Sequence, residues 1–439
     1  MEVKNQVINE DEYTVSVWTE EDDKLKRVEF TKEMKKDYKI LLPNLLPRHM
    51  RMIASLLGAY GYDAEMLENT GQAIIDTGLM YVHNDTCYPA TLCVGQFIDA
   101  LNSGKYDLNK TALRFTQTGG GCRASNYISL IRKALKKAGY GHIPVISLNF
   151  AGLEKNSGFS LNIPMFLRMI YAVVYGDILM CLCNQAKAYE VNKGDSEKLA
   201  EEWTKKLVVQ LSAKKRPSYR TVKRTFREIV RDFAKIPLTG EKKEKVGIVG
   251  EIYVKFAPMA NRNLEDYLLS EGAEPTMAGL VDFAMFYLYG RIEEYDMYRI
   301  HKKSVHAFRL AYTIIEKVQN DIIAAIKEES KFDPPTEFKK TVELAREYIH
   351  LGVKMGEGWL LVAEMVEHIH RGTKSIVCTQ PFGCLPNHIV GKGVMKVIKE
   401  KNPDVNIVAI DYDASASEIN QQNRIKLLLA NAENGKFKI

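Results

Sequence analysis

Residues 112–150, ALRFTQTGGGCRASNYISLIRKALKKAGYGHIPVISLNF, decide the fold class. ALRFTQT reads as a buried strand and GGGC as a turn. Arg123 to Ala138 reads as an amphipathic helix stopped by Gly139, and IPVISLNF as the next strand. A strand–helix–strand unit implies parallel pairing, with the helix packed back on the sheet. Upstream, the spacing predicts a strand in YKILLPNL, a helix in PRHMRMIASLLGAYGY and a strand in DAEML. LMYVHND reads as a further strand, with Cys87 in the turn after it and a helix over Ala90 to Leu101. Downstream, Leu161 to Lys235 is helical in period, EKVGIVGEIYVKF restarts the strand pattern, and LEDYLLSEGAEP is a helix ended by Gly272. Residues 276–330 are again helical. Then come a helix ending at His370-Arg371-Gly372, a strand SIVCTQ, the Cys384 turn, a helix to about Lys401, a strand NIVAIDYD and a helix over Ser417 to Asn431.

The expected class is therefore α/β, with parallel sheets in two or three lobes and a helical insertion. The expected segments are a charged arm at 1–36 and a first α/β lobe at 37–155 carrying Cys87 and Cys122. A helical insertion or lid follows at 156–240, then a second α/β lobe with helical elaboration at 241–335 and a C-terminal α/β lobe at 336–439 carrying Cys384. In the arm, TVSVWTE and KRVEF alternate like short strands.

At 439 residues the chain has room for more than one core. Its start lacks the basic and apolar pattern of a signal peptide, and no run of eighteen uninterrupted apolar residues follows, so the expectation is a cytoplasmic protein without a membrane span. Seven cysteines, odd in number and widely spaced, argue against a disulfide framework. The net charge of +6 is concentrated in KKRPSYRTVKRTFREIVRDFAK, residues 214–235. No stacking-aromatic pattern or nucleic-acid motif accompanies it, so it reads first as a solvated helix face, with an acidic partner or cofactor phosphates as another use. No GxGxxG follows a strand and no GxxxxGK[ST] is present.

The cysteines at 87, 122 and 384 each stand where a predicted strand runs into a helix. Helix N-termini favour thiolates and can bond the sulfides of an anionic cluster, and open parallel sheets bind ligands at that edge. Three thiolates on an iron–sulfur cubane leave one iron open for chemistry. Gly120 and Gly121, with Gly119 before them, and Gly383 let backbone approach such a group. The alternatives are buried cysteines without metal, a zinc site, disfavoured for want of a CxxC pair, and a nucleophilic Cys384 with His388 one turn away. Cys181 and Cys183 read as core residues and Cys378 as a strand residue facing the sheet's side. Cys93 is the auxiliary ligand candidate. Glu251 reads as a strand-end carboxylate or a turn partner. Asp411 and Asp413, with Ser415 and Ser417, read first as a strand end and helix cap, with metal ligation as the second reading.

With these motifs, the chain resembles the 2-hydroxyacyl-CoA dehydratase family, in its branch of activase-linked dehydratase-like proteins related to double-cubane cluster proteins. The stretches that carry the resemblance are NDTCYPATLCVGQ, TQTGGGCRASNYISLIRKAL, IPVISLNFAGLEK, KVGIVGEIYVK, GEGWLLVAEMVEHI, CTQPFGCLPNHIVGKG and AIDYDASASEINQQNRIKLLLA. The resemblance implies flavodoxin- or Rossmann-like lobes with an oxygen-sensitive 4Fe-4S cluster between them, held by Cys87, Cys122 and Cys384. An 8Fe double cubane is the alternative and would recruit further cysteines. It implies a partner ATPase activator with its own cluster, acting in trans to inject one low-potential electron, and it allows a homodimer. The implied activity is that of a dehydratase-like lyase or an ATP-dependent reductase component, with an electron-relay scaffold as a non-catalytic alternative. The departures from the characterised dehydratases are a single chain, the long helical insertion and the absence of an identifiable thioester pocket.

Overall fold

The structure, a computed structural model, describes residues 27–117, 121–149, 154, 157–300 and 302–433. The first sheet is built from β1 (Lys39–Leu42), β2 (Asp63–Met66), β3 (Thr111–Gln117) and β4 (Val145–Asn149) in the order β2-β1-β3-β4, all parallel. Ile40 lies opposite both Ala64 and Ala112, and Phe115 opposite Ser147. Between the strands run α1 (Pro47–Ala59), α2 (Gln72–Tyr81), α3 (Tyr88–Asn102) and α4 (Tyr127–Lys137). The period of two divides each strand between two cores. Leu41, Leu113 and Val145 meet α3 and α4, whereas Ile40, Leu42, Ala112 and Ile146 face the other way.

That second face is covered by the helical segment, α5 (Ile163–Tyr189), α6 (Asp195–Ser212) and α7 (Tyr219–Phe233). Tyr175 of α5 and Phe226 of α7 stack edge to face inside this core. The segment is thus a structural layer of the first lobe rather than a lid. By length and composition α5 could cross a membrane, but 67% of its most apolar window is buried in the protein. Part of the basic run is matched by acids of the helix Val305–Glu329: Lys223 bonds Asp321, Arg227 bonds Glu328 and Glu329, and Arg231 bonds Glu329.

The second sheet contains β5 (Lys245–Gly250), β6 (Glu274–Thr276), β7 (Ser375–Pro381) and β8 (Asn406–Tyr412) in the order β6-β5-β7-β8, again parallel. The same part of the chain forms α8 (Ile252–Phe256), α9 (Leu264–Ser270), α10 (Leu280–Tyr298), α11 (Val305–Glu329), α12 (Phe338–Arg346), α13 (Trp359–His370), α14 (Lys392–Lys401) and α15 (Glu418–Glu433), of which α10, α11 and α12 bury apolar residues in the core shared with α5 and α7. The expected lobes at 241–335 and 336–439 are therefore one: β5 pairs with β7 across the presumed boundary. Local pattern finds strands, but it carries no information on which distant strand each one joins.

A second correction concerns the stretch before Cys87. LMYVHND does not form a strand; α2 runs through Tyr81. A short apolar run fits either state, and here Ile74, Ile75 and Gly78 bury one face of α2 against α3. The two helices cross closely because Gly78 and Gly95 carry no side chain: a Cβ on Gly95 would overlap the carbonyl of Ile74. In the N-terminal arm, TVSVWTE lies outside the described residues, and residues 27–30 of KRVEF are irregular rather than a strand. Phe30 is fully buried there, and its carbonyl accepts the N–H of Gly158.

One core residue makes the fold acid-sensitive. His368 of α13 packs its ring against Gly247 of β5, with Nδ1 3.4 Å from the Thr276 hydroxyl and no partner for Nε2. Burial lowers its pKa from 6.5 to about 4. The unfolded chain then binds more protons than the folded one between these values. Stability is complete above about pH 6.5 and falls as pH drops toward 4, by roughly 2 kcal/mol between pH 7 and pH 5. Urea unfolding of His368→Asn at both pH values should show a smaller acid loss than wild type; an equal loss would remove His368 from this role.

Candidate functional site

In a doubly wound sheet the crevice opens where the strand order reverses, at the carboxyl ends of the two strands on either side. Here those pairs are β1 and β3 in one sheet and β5 and β7 in the other. Cys122 follows β3, Glu251 follows β5 and Cys384 follows β7. Cys87 arrives differently, at the N-cap of α3 in the α2–α3 helical hairpin, whose Ile74, Ile75, Tyr88 and Cys93 pack into the second lobe's core.

The turns converge. The N–H of Tyr88 donates to the carbonyl of Phe382 at 3.0 Å, tying the Cys87 turn to the Cys384 turn. Gly383, at φ +71°, lies so close to Cys87 that a Cβ there would stand 3.0 Å from its Cα, so the contact requires glycine. The third turn joins through Gly356, where a Cβ would lie 2.7 Å from Pro386 and 3.8 Å from Cβ of Cys122. Gly121 faces the sulfur of Met355, while Gly119 and Gly120 fall outside the described residues. Phe382, Leu385 and Ile389 on the Cys384 turn, and Met355 opposite Gly121, leave apolar side chains exposed around the site.

Each thiol has a polar neighbour. The hydroxyl of Tyr127 is 3.1 Å from the Cys87 sulfur, the N–H of Ala124 points at the Cys122 sulfur at 3.5 Å, and Nδ2 of Asn387 donates to the Cys384 sulfur at 3.2 Å. Asn387, not His388, is thus the side chain on Cys384; the His388 ring bonds Gln380 instead. That geometry disfavours a Cys384–His388 nucleophile pair. Two carboxylates complete the group. Glu251 caps α8 by accepting the N–H of Val254 at 2.9 Å, and Glu357 accepts the N–H of Ile252 at 3.1 Å on one oxygen. The other oxygen of Glu357 is buried with no hydrogen-bond partner. Glu251 is legible in the sequence as a strand-end acid, whereas Glu357 in GEGW carries no local signal beyond its flanking glycines.

The expected thiolate character does not hold for the protein by itself. Burial pushes Cys87 up and Cys122 up to about 12, and raises Cys384 further. Burial is the main cause at Cys122 and Cys384; the charges of Glu357 and Glu251 add to it, while the N–H bonds of Ala124 and Asn387 act the other way. Glu251 is itself pushed up to about 8 by burial and by Glu357 beside it. Binding a cationic centre here would release these protons and gain the pairing the buried groups lack.

Among the described residues, no three His, Cys, Asp or Glu side chains are gathered to hold a single metal ion. A cubane makes a different demand, because each thiolate binds a different iron and the sulfurs stand apart. Three separate turns, sulfur-directed N–H groups and an unpaired buried oxygen suit that demand. The remaining cysteines lie elsewhere or deeper. Cys93 is fully buried near Tyr253, and Cys378 is fully buried with Ile376 and Met395 in the opposite core of the second sheet. Cys181 lies by the carbonyl of Asp333, and Cys183 by Arg48 and Glu197. Asp413 accepts from the N–H and hydroxyl of Ser415 in a turn that precedes α15, rather than capping the helix, and Asp411 lies 3.5 Å from Arg424 at the end of β8.

The chain matches no family model and no curated protein.

Proposed function

We propose that this is a cytoplasmic iron–sulfur protein of the 2-hydroxyacyl-CoA dehydratase type, with a 4Fe-4S cluster on Cys87, Cys122 and Cys384. The observation that carries the reading is the convergence of the three cysteine turns at the facing switch points of two parallel sheets. When bound, the cluster would supply one-electron reduction of a ligand at its open iron. The chain's own part is to exclude water by burying Cys87 and Cys384, to direct Ala124 N–H and Asn387 Nδ2 at the sulfurs, and to place the carboxyl groups of Glu251 and Glu357 beside them. The electron donor is a separate ATPase carrying its own cluster. The reaction is a reduction or a radical dehydration.

The single cubane is favoured over the 8Fe double cubane. A second cubane would need thiolates from Cys93, Cys378 and one of Cys181 and Cys183, which lie in separate cores and on separate neighbours. Purification and reconstitution without oxygen, followed by iron and acid-labile sulfide analysis, should give about four irons per chain. About eight would select the double cubane, and none would defeat the cluster reading.

A further inference from the structure

We infer that Glu357 is the oxygen ligand of the one iron that three cysteines leave open. This rests on the single-cubane reading above and adds to it a residue for the fourth position. The first observation is the unpartnered Glu357 oxygen: Oε1 takes the Ile252 N–H, and Oε2 is buried without a bond. A buried carboxylate oxygen with no donor is costly, and such groups in folded proteins call for a partner. Glu251 differs, since its carboxylate is committed to the N-cap of α8. Lys255, the cation that acts on both carboxylates, is bonded to Glu364 at 2.7 Å.

The second observation is how Glu357 is held. It stands between Gly356 at φ +60° and Gly358 at φ +46°, a left-handed turn that side chains other than glycine resist. The turn is locked by Gly358 N–H to the Met355 carbonyl at 3.0 Å and Trp359 N–H to the Val353 carbonyl at 2.7 Å, with Trp359 fully buried beneath it. Glycine adopts this backbone without strain, and a Cβ on Gly358 would overlap the Val353 carbonyl, so the turn that holds Glu357 depends on both glycines. The same Gly356 touches Pro386 and Cys122, so the turn that presents Glu357 is packed on two of the cysteine turns.

A carboxylate oxygen suits an iron that lacks a fourth thiolate. Binding would exchange the carboxyl O–H bond for an Fe–O bond, with the proton going to solvent and no change of oxidation state. Glu357 would then be the residue that occupies the iron left without a thiolate.

The test uses the full chain, reconstituted without oxygen, reduced with dithionite and labelled with 13C-glutamate. Pulsed EPR of wild type should show a 13C coupling of ligand strength. Glu357→Gln should lose that coupling and shift the g-values, whereas Glu251→Gln should keep it, with iron near four per chain in both. Absence of the coupling from iron-loaded wild type, its persistence in E357Q, or eight irons per chain would overturn the assignment. Wild type without iron would instead defeat the cluster reading itself. Should E357Q lose its circular dichroism, Glu357→Asp carries the test. The coupling should then move from labelled glutamate to labelled aspartate, and failure to move would overturn the proposal.

Discussion

Cys122→Ser and Cys384→Ser, each reconstituted without oxygen, should retain less than about a tenth of wild-type iron and sulfide, since losing even an outer-shell partner of a metal site costs 10–100-fold in affinity. The two residues come from different sheets, follow β3 and β7, and both flank the turn that carries Gly356. A serine oxygen would keep the polar contact to Ala124 N–H or Asn387 Nδ2 and so preserve the local fold. It would remove the soft sulfur on which iron–sulfur ligation depends. Cys183→Ser is the control, because its thiol faces Arg48 and Glu197 in the first lobe's helical layer. Iron and sulfide measured together with circular dichroism separate loss of ligation from loss of fold. Wild-type iron in folded C122S and C384S would sink the three-cysteine assignment.

The next largest effect is expected in stability, from Lys255→Met. Lys255 of α8 and Glu364 of α13 form an ion pair at 2.7 Å, with side chains only 5% and 4% exposed. Such a pair repays the desolvation of its two charges poorly, but removing one partner leaves the other charge buried alone, at a cost of about 3 kcal/mol or more. Burial already raises Glu364 despite the lysine, so without it the acid would have to take up a proton at neutral pH. Denaturant unfolding should therefore show K255M less stable by about that amount, and Lys255→Met with Glu364→Leu should regain most of the loss. Equal stability of K255M and wild type would show that the pair is relaxed by water.

Legibility followed the range of the physical signal. The β3–α4–β4 unit was readable because a period of two, a glycine-rich turn, a period of 3.6 and a stop at Gly139 are all local. The strand predicted in LMYVHND failed where a short apolar run had to be told from the end of a helix. The deciding contact, the Gly78–Gly95 crossing, lies between two helices. The division at residue 335 failed because β5 and β7 pair only after more than a hundred intervening residues have folded back.

By itself the sequence determined the α/β class, the strand-to-helix turns of Cys122 and Cys384, and the separation of those cysteines from Cys181 and Cys183. Each follows from residue type and spacing within a short window. The tertiary structure alone decided that Cys87 joins them from a helical hairpin, that Asn387 rather than His388 faces the Cys384 thiol, and that Glu357 stands unpaired beside the group. Burial and pairing depend on what the rest of the chain brings to a site, and a carboxylate in GEGW acquires its character only when the loop of one lobe is pressed against the turns of two sheets.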